Sequence, residues 1–262
     1  MEHTLFASGM TIRYFDTDPA NEQERQILIF LHGWGACKET FSPVIASLKE
    51  KYRIIAPDLP GFGKTGEPSR PWTVADYADF FQEFLKALGL ENQAFSACGH
   101  SHGGRLLIKW AARRPKGLKR LILIDSAGIK PRRSLGWYIK VYRYKIGKRL
   151  IQLPGLNKLL APLLADKIAK AGSTDYQQAS PLMKRTMVLQ LDEDLKPCLP
   201  RIKVPTLLFW GEGDRDTPLE QGQLMEKEIP NAGLVVLSPA GHYSYLDQLP
   251  QFLGALAYFM EH

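Results

Sequence analysis

A Gly-His-Ser-His-Gly sequence at residues 99–103 joins a predicted buried strand to a predicted helix, and this junction strongly constrains the fold. Residues 94–98 before it are small or apolar, as in a strand covered on both faces. Residues 105–114 after it form a good helix sequence that ends at Pro115. So sharp a turn needs glycines beside the serine, because side chains there would collide. The turn is therefore predicted to hold the hydroxyl of Ser101 clear of the backbone.

Short apolar runs alternate with helical patterns along the chain, which is typical of parallel strands joined by crossover helices. The predicted strands are residues 11–15, 27–31, 53–56, 94–98, 121–125, 206–210 and 234–237. A capping-box sequence at residues 73–76 predicts the start of a helix, whose aromatic residues are interpreted as core packing. At 262 residues the chain is long enough for one α/β domain. We therefore predict a mostly parallel central sheet with helices on both faces.

One interval between predicted strands is much longer than the others. Eighty residues separate Asp125 from Thr206, whereas a crossover unit needs about thirty or more. The surplus is helical in character and leaves the sheet where strand ends gather functional groups. The sequence therefore predicts a helical lid at residues 130–195, inserted in an α/β core formed by residues 1–129 and 196–262.

The net charge of +7 is concentrated in this inserted segment. Between Lys130 and Asp175 lie eleven basic and two acidic residues. Because the basic residues are confined to one region, no nucleic-acid partner is expected. A helix predicted at residues 135–151 has an apolar stripe with basic flanks. It could make weak contact with an anionic surface or guide an acidic substrate. Alternatively, the stripe covers the active site and the cations form a solvated outer face.

Cysteine usage and the absence of targeting segments bear on the cellular compartment. The three cysteines show neither a paired framework nor metal-ligand spacing. The N-terminal residues lack the basic start and apolar run of a signal peptide, and no apolar run approaches the length of a membrane span. We therefore predict a cytoplasmic protein. The sequence does not specify its oligomeric state.

A serine hydroxyl becomes a good nucleophile only when a neighbouring base takes its proton and a third group orients that base. Asp214 lies in a glycine-rich turn after one predicted strand, and His242 lies on the loop after the last one. We predict that Ser101 is the nucleophile, His242 the general base and then acid, and Asp214 the orienting carboxylate. Asp125 is the alternative acid. Asp214 could instead bind only its own turn, and His242 could be structural.

An acyl-transfer site also needs hydrogen-bond donors for the oxygen that becomes negative in the tetrahedral intermediate. The His-Gly-Trp-Gly sequence at residues 32–35 follows a predicted strand and can point a backbone N–H inward. The predicted oxyanion donors are the backbone N–H groups of Trp34 and His102. Three aromatic residues are candidates for lining the substrate pocket, namely Trp137, Tyr138 and Tyr243.

His100 and His102 flank the serine, which raises the question of a metal site. Two histidines on either side of a tight turn point apart, and no carboxylate or third histidine is close in sequence. We therefore predict neither a metal nor a cofactor.

Five short motifs together resemble the α/β-hydrolase fold superfamily, from about residue 27 to the C-terminus. They lie at residues 32–35, 58–63, 99–104, 211–214 and 241–242. The resemblance implies an α/β-hydrolase fold and serine hydrolase activity. It also implies that the loop at Asp58 shapes the site without taking part in the chemistry.

The leading functional prediction is a cofactor-independent serine hydrolase that acts on a small-molecule carboxylic ester or thioester. A carbon–carbon bond hydrolase of the same fold is the main alternative, although members of that group usually carry asparagine at the position of His100. A proline-releasing peptidase and a non-catalytic small-molecule-binding protein stay open. Epoxide hydrolases and haloalkane dehalogenases of this fold attack with an aspartate. This chain has Ser101 at that position, which argues against both enzyme classes.

Overall fold

A computed structural model describes residues 2–20, 22–130 and 174–262, with single positions 136, 142, 146 and 149. Within these residues the chain forms an eight-stranded sheet. Its strands are β1 (Glu2–Ala7), β2 (Met10–Asp16), β3 (Ile27–Leu31), β4 (Arg53–Pro57), β5 (Phe95–His100), β6 (Leu118–Ile124), β7 (Thr206–Gly211) and β8 (Ala232–Leu237). The order is β1-β2-β4-β3-β5-β6-β7-β8, antiparallel from β1 to β4 and parallel from β4 to β8. The predicted mostly parallel α/β sheet is confirmed.

Helices follow most of the strands, as the alternating sequence pattern predicts. The described helices are α1 (Ser42–Leu48), α2 (Val74–Ala87), α3 (His102–Ala111), α4 (Thr174–Gln178), α5 (Pro181–Asp192), α6 (Leu219–Glu228), α7 (Ser244–Asp247) and α8 (Leu249–Glu261), with 3-10 helices at Lys38–Phe41 and Lys196–Arg201. Helix α2 begins at the predicted capping box, in which the side chains of Thr73 and Asp76 each accept a hydrogen bond from the other's backbone N–H. None of the helices in the described ranges is long and apolar enough to span a bilayer.

Strand β1 is an element that the sequence pattern did not predict. It pairs with β2 through a two-residue turn at Ser8 and Gly9, whose φ angles of 51° and 77° are the positive values of a type I′ hairpin. Its side chains are mostly exposed or half-buried because β1 is the edge of the sheet. An edge strand lacks the continuous apolar run that identifies buried strands.

The central strands pack on both faces. Every residue of β3 and β4 is buried. On one face Phe30 and Phe209 join a core with Phe252 of α8. On the other face Phe81 of α2 meets Trp110 of α3, with their ring centroids 4.8 Å apart. This two-sided burial fixes the strand ends, and therefore the loops that carry the functional residues.

The chain divides into two compact units, Met1–Lys130 with Val188–His262, and Pro131–Met187. The first contains the whole sheet. Residues 188–195, which the sequence places in the predicted lid, belong to this unit. There the buried guanidinium of Arg105 donates to the carbonyl of Glu193 at 3.0 Å. Most of the predicted lid, including its basic helix at residues 135–151, lies outside the described residues, so the lid stays a prediction.

Candidate active site

Ser101 occupies the sharp junction between β5 and α3. Its φ of 50° lies in the left-handed region, which a non-glycine residue adopts rarely. A Cβ on Gly103 would collide with the carbonyl of Leu31, and one on Gly99 would lie 2.6 Å from the carbonyl carbon of Gly103. The flanking glycines therefore allow the close approach of backbone segments that makes the turn.

Ser101, His242 and Asp214, which the sequence predicts as nucleophile, base and orienting acid, lie together in the structure. His242 is on the loop between β8 and α7, and Asp214 follows β7. The Nε2 atom of His242 lies 3.0 Å from Ser101 Oγ, and its Nδ1 atom lies 2.8 Å from Asp214 Oδ2. Both distances allow hydrogen bonds, so the three side chains form one continuous array.

The turn after β7 fixes the carboxylate of Asp214. Its Oδ1 accepts hydrogen bonds from the backbone N–H groups of Asp216 at 2.8 Å and Thr217 at 3.0 Å. The Thr217 hydroxyl lies 2.7 Å from Oδ2, the oxygen that also faces His242. Asp214 therefore binds its own turn through one oxygen and reaches His242 with the other. The turn-binding alternative and the orienting role are compatible.

The contact between His242 and Asp214 raises the pKa of the histidine and lowers the pKa of the aspartate. Burial alone would raise the pKa of Asp214, but hydrogen bonds from His242 and Thr217 outweigh it and lower the pKa. Burial alone would lower the pKa of His242, but the hydrogen bond and charge of Asp214 raise it above 6.5. An ionised carboxylate only accepts hydrogen bonds, so Nδ1 of His242 carries the hydrogen. The Nε2 lone pair therefore faces the serine hydroxyl.

Asp125, the alternative acid, is fully buried after β6 but hydrogen-bonds to other groups. Its Oδ1 accepts the N–H of Gly211 at 2.8 Å, and its Oδ2 accepts the N–H and hydroxyl of Ser244 at 3.0 and 2.6 Å. Burial raises its pKa to about 7. The hydrogen-bond partner of the His242 ring is thus Asp214 and not Asp125.

The loop after β3 lies against the serine turn. Leu31 pairs with Gly99 in the parallel ladder, and a Cβ on Gly33 would lie 3.3 Å from Ser101 Cβ. The rings of Trp34 and His102 meet edge to face at 5.3 Å. Within the described ranges, no backbone carbonyl in a turn or loop accepts a hydrogen bond from either of their N–H groups. The loop that carries Trp34 therefore lies beside the serine turn, and the oxyanion role of the Trp34 and His102 N–H groups stays a prediction.

His32 braces this loop. Its Nδ1 donates to the carbonyl of Gly33 at 2.8 Å, and its Nε2 accepts the N–H of Leu59 at 2.9 Å. Burial lowers its pKa to about 4, so the ring is neutral and suited to these two opposite roles. The loops after β3 and β4 are therefore tied together.

Asp58 and Lys38 form a buried ion pair beneath the same loops, with both side chains inaccessible to solvent. The Lys38 ammonium lies 2.8 Å from Asp58 Oδ2, and the Asp58 carboxylate also accepts the backbone N–H groups of Lys38 and Lys64, each at 2.9 Å. Asp58 does not contact the serine array through any of these bonds. Sequence reasoning missed Lys38, because its basic side chain has no periodic or motif signal.

The two histidines beside Ser101 have different neighbours. His100 Nε2 donates to the backbone carbonyl of His242 at 2.7 Å, which helps to hold the histidine loop. The His102 ring packs edge to face on Tyr77 at 4.8 Å. Burial lowers the pKa of each to about 3. The contact from His100 to the His242 backbone was not predicted, because residues so far apart in sequence give no local signal.

Two groups in the described part of the chain bring three potential metal ligands together, namely Cys37 with Glu39 and Asp58, and Asp214 with Asp216 and His242. In the first group the Lys38 ammonium lies 3.0 Å from Glu39 and 2.8 Å from Asp58. The second group contains the pair that is hydrogen-bonded to Ser101. Lys38 therefore compensates both carboxylates of the first group, and hydrogen bonds from His242 and Thr217 compensate Asp214 in the second.

Of the three pocket candidates, only Tyr243 lies in the described residues. Its ring is 38% exposed and lies 4.7 Å from the His100 ring and 5.9 Å from the His242 ring. It thus stands beside the serine array. Trp137 and Tyr138 lie outside the described residues.

Comparison with known proteins gives matches along most of the chain. A sequence model described as the alpha/beta hydrolase fold matches residues 26–249. YugF of Bacillus subtilis (strain 168), an uncharacterized hydrolase, is 30% identical over 252 residues, or 88% of this chain and 91% of YugF. Lipase 1 of Psychrobacter immobilis is 28% identical over 247 residues, or 86% of this chain and 73% of the lipase.

Solved structures show the same fold. The esterase EaEST from Exiguobacterium antarcticum superimposes with a TM-score of 0.75 over all of both chains, at 24% sequence identity. At this identity the match supports the fold and not the substrate.

Proposed function

Since the chain belongs to the alpha/beta hydrolase fold family, we propose that it is a serine hydrolase that cleaves a carboxylic ester or thioester through an acyl-enzyme at Ser101. The observation that carries this proposal is the array Ser101–His242–Asp214, with distances of 3.0 and 2.8 Å. The array couples a hydroxyl to a base and the base to a carboxylate, as acyl transfer requires. The hydrolase and lipase relatives support the reaction class.

In the acylation step, Ser101 Oγ attacks the carbonyl carbon as His242 Nε2 takes the hydroxyl proton. The imidazolium that forms is stabilised by the ionised Asp214. The carbonyl oxygen becomes negative, and the N–H groups of Trp34 and His102 donate to it. In other serine hydrolases one such donor contributes about 3 to 4 kcal/mol to the transition state. These five groups account for the proposed formation of the tetrahedral intermediate.

Collapse of this intermediate breaks the bond from the acyl carbon to the alcohol or thiol, which takes its proton from His242. Water then attacks the acyl-enzyme and passes a proton to His242, and the second collapse returns that proton to Ser101 Oγ. The carboxylic acid is released and the starting state is restored. Every proton moves through a single atom, His242 Nε2.

The main alternative, carbon–carbon bond cleavage, is less well supported. The resemblance implies asparagine before the serine in that group, and this chain has His100. The His100 ring is neutral, buried and engaged with the carbonyl of His242. His100 therefore contacts the histidine loop and supplies no side-chain amide at this position, which favours the ester or thioester proposal.

Covalent labelling tests the proposal directly. A fluorophosphonate probe should modify Ser101 stoichiometrically, and Ser101→Ala should abolish both labelling and ester hydrolysis. Ser47→Ala is a matched control, because the exposed hydroxyl of Ser47 donates a hydrogen bond to the carbonyl of Pro43 in its own helix. A protein that folds normally but does not label would instead be a non-catalytic binding member. p-Nitrophenyl esters from acetate to palmitate would then define the preferred acyl length.

A further inference from the structure

Asp125 lies at the end of β6, directly beside the three loops of the serine array. Its side chain is fully buried, and its φ of 43° is unusual for a residue other than glycine. Such a backbone conformation persists only where the surrounding structure strongly constrains it. The hydrogen bonds of Asp125 show what supplies that constraint.

The carboxylate of Asp125 bridges two loops. Its Oδ1 accepts the N–H of Gly211 at 2.8 Å, three residues before Asp214. Its Oδ2 accepts the N–H of Ser244 at 3.0 Å and the Ser244 hydroxyl at 2.6 Å, two residues after His242. One side chain therefore joins the turn that carries the acid to the loop that carries the base.

The backbone around Asp125 extends this connection to the nucleophile. The carbonyl of Asp125 lies 3.0 Å from the Thr217 hydroxyl, which also faces Asp214. The N–H of Ser101 donates to the carbonyl of Ile124 at 3.0 Å, and the N–H of Ala127 donates to the carbonyl of Ser101 at 3.1 Å. The short segment 124–127 thus contacts the loops of all three residues in the array.

Burying a carboxylate is costly unless donors compensate it. Asp125 has three such donors, and the imidazole of His242 is not among them. Its position is therefore explained by the loops that it joins and not by a direct contact with the base.

We propose that Asp125 is a positioning residue, which sets the separation of Asp214 and His242 by binding Gly211 and Ser244. The inference rests on the proposed function for its kinetic readout, whereas the contacts themselves do not depend on it. Asp125 touches neither the reacting atoms nor the base, so its hydrogen bonds influence them through the two loops.

Asp125→Asn is the sharpest test, because it keeps the shape of the side chain. An amide has one acceptor oxygen and one NH2 group. The NH2 group must therefore face the N–H of Gly211 or that of Ser244. We expect kcat to fall about 10- to 100-fold, because small misplacements of reacting groups have effects of this size. KM should change less than about twofold, since substrate binding is not altered.

Asp216→Asn is the control for charge. Asp216 is exposed, follows Asp214 by two residues and, like Asp125, raises the pKa of His242 through its charge. The Asp216→Asn substitution removes a carboxylate charge near His242 but leaves the Asp125 bridge between the two loops in place. Asn keeps the backbone N–H of residue 216 that binds Asp214, so we expect a smaller fall in kcat than in Asp125→Asn.

Proton NMR gives a readout that does not require turnover. The His242 Nδ1 proton, hydrogen-bonded to Asp214, should appear as a low-field resonance, assigned by its loss in Asp214→Asn. It should weaken or disappear in Asp125→Asn and persist in Asp216→Asn. If the wild-type protein neither labels nor hydrolyses esters, the proposed function fails, and this resonance still tests the positioning role.

Ser244→Ala extends the test if Asp125→Asn does not fold. This variant removes the 2.6 Å hydroxyl contact but keeps the N–H of residue 244. We expect a smaller fall in kcat, about threefold, with unchanged KM. Wild-type kcat and an intact resonance in both variants would overturn the proposal. A kcat loss in Asp125→Asn as large as that in Asp214→Asn, with the resonance intact, would also overturn it, because Asp125 would then affect the reaction without setting the contact between Asp214 and His242.

Discussion

His242 Nδ1 lies 2.8 Å from Asp214 Oδ2, and this contact selects one of the two acids that the sequence offers. Asp214→Asn should lower kcat about 10⁴-fold, as in serine proteases that lose the orienting aspartate, because the imidazole then adopts the wrong tautomer. The initial rates of Asp214→Asn and Asp125→Asn on a p-nitrophenyl ester are measured and compared. Near-normal activity of Asp214→Asn would show that the assignment of the acid is wrong.

The raised pKa of His242 predicts the direction of the pH dependence. His242 must be neutral to accept the proton of Ser101, and Asp214 stabilises the protonated form. The value of kcat/KM should therefore fall as pH drops through a pKa above the ordinary 6.5. In Asp216→Asn the midpoint should move down, because one stabilising charge is lost. A flat profile between about pH 5 and 9, with acylation rate-limiting, would exclude a histidine base.

A pair of glycines tests the steric basis of the serine turn. Gly103→Ala should destabilise the protein by about 3 kcal/mol or more, because the new Cβ meets the backbone of Leu31 and His32, which cannot move aside. Gly254→Ala in α8 should stabilise it by about 0.5 to 1 kcal/mol, since a Cβ there meets no atom within 4 Å. Urea unfolding measures both. Equal effects of the two substitutions would contradict the steric argument.

The buried Lys38–Asp58 pair should contribute strongly to loop stability. Lys38→Met leaves the carboxylate of Asp58 buried without its cation, which should cost about 3 to 5 kcal/mol. The control is Lys64→Met, because the exposed ammonium of Lys64 pairs with the partly exposed Glu2, and the loss of such a surface pair should change the free energy of unfolding far less. Chemical denaturation compares the two variants, and a similar small loss in both would refute the buried-pair argument.

The dependence of activity on salt concentration tests whether the basic segment between Lys130 and Asp175 guides acidic substrates. If it guides acidic substrates, kcat/KM for an anionic ester should fall selectively between low salt and about 0.5 M salt, because screening shortens the range of the field. A neutral ester of matched acyl length is the control. No selective loss, together with no binding to anionic vesicles, would indicate a solvated surface.

Local sequence was sufficient for the fold and for the three residues of the array. The glycines beside Ser101 predict a sharp turn, and the apolar runs predict strands, because both kinds of structure depend on steric interactions between neighbouring residues. The chain order of Ser101, Asp214 and His242 follows from where those strands end. Strand β1 was missed because half-exposed edge positions carry no continuous apolar signal.

Tertiary structure decided what depends on distances between loops. Asp125 and Asp214 both follow strands, and only the packing of those strands shows that Asp214 faces the His242 ring while Asp125 ties Gly211 to Ser244. The contacts of Lys38 with Asp58 and of His100 with the carbonyl of His242 are equally non-local. Sequence by itself determined which residue types end each strand, because strand and turn formation are governed by neighbouring residues. The partners of each polar group were decided by the folded sheet, because hydrogen bonds across loops require separations that only its register and packing set.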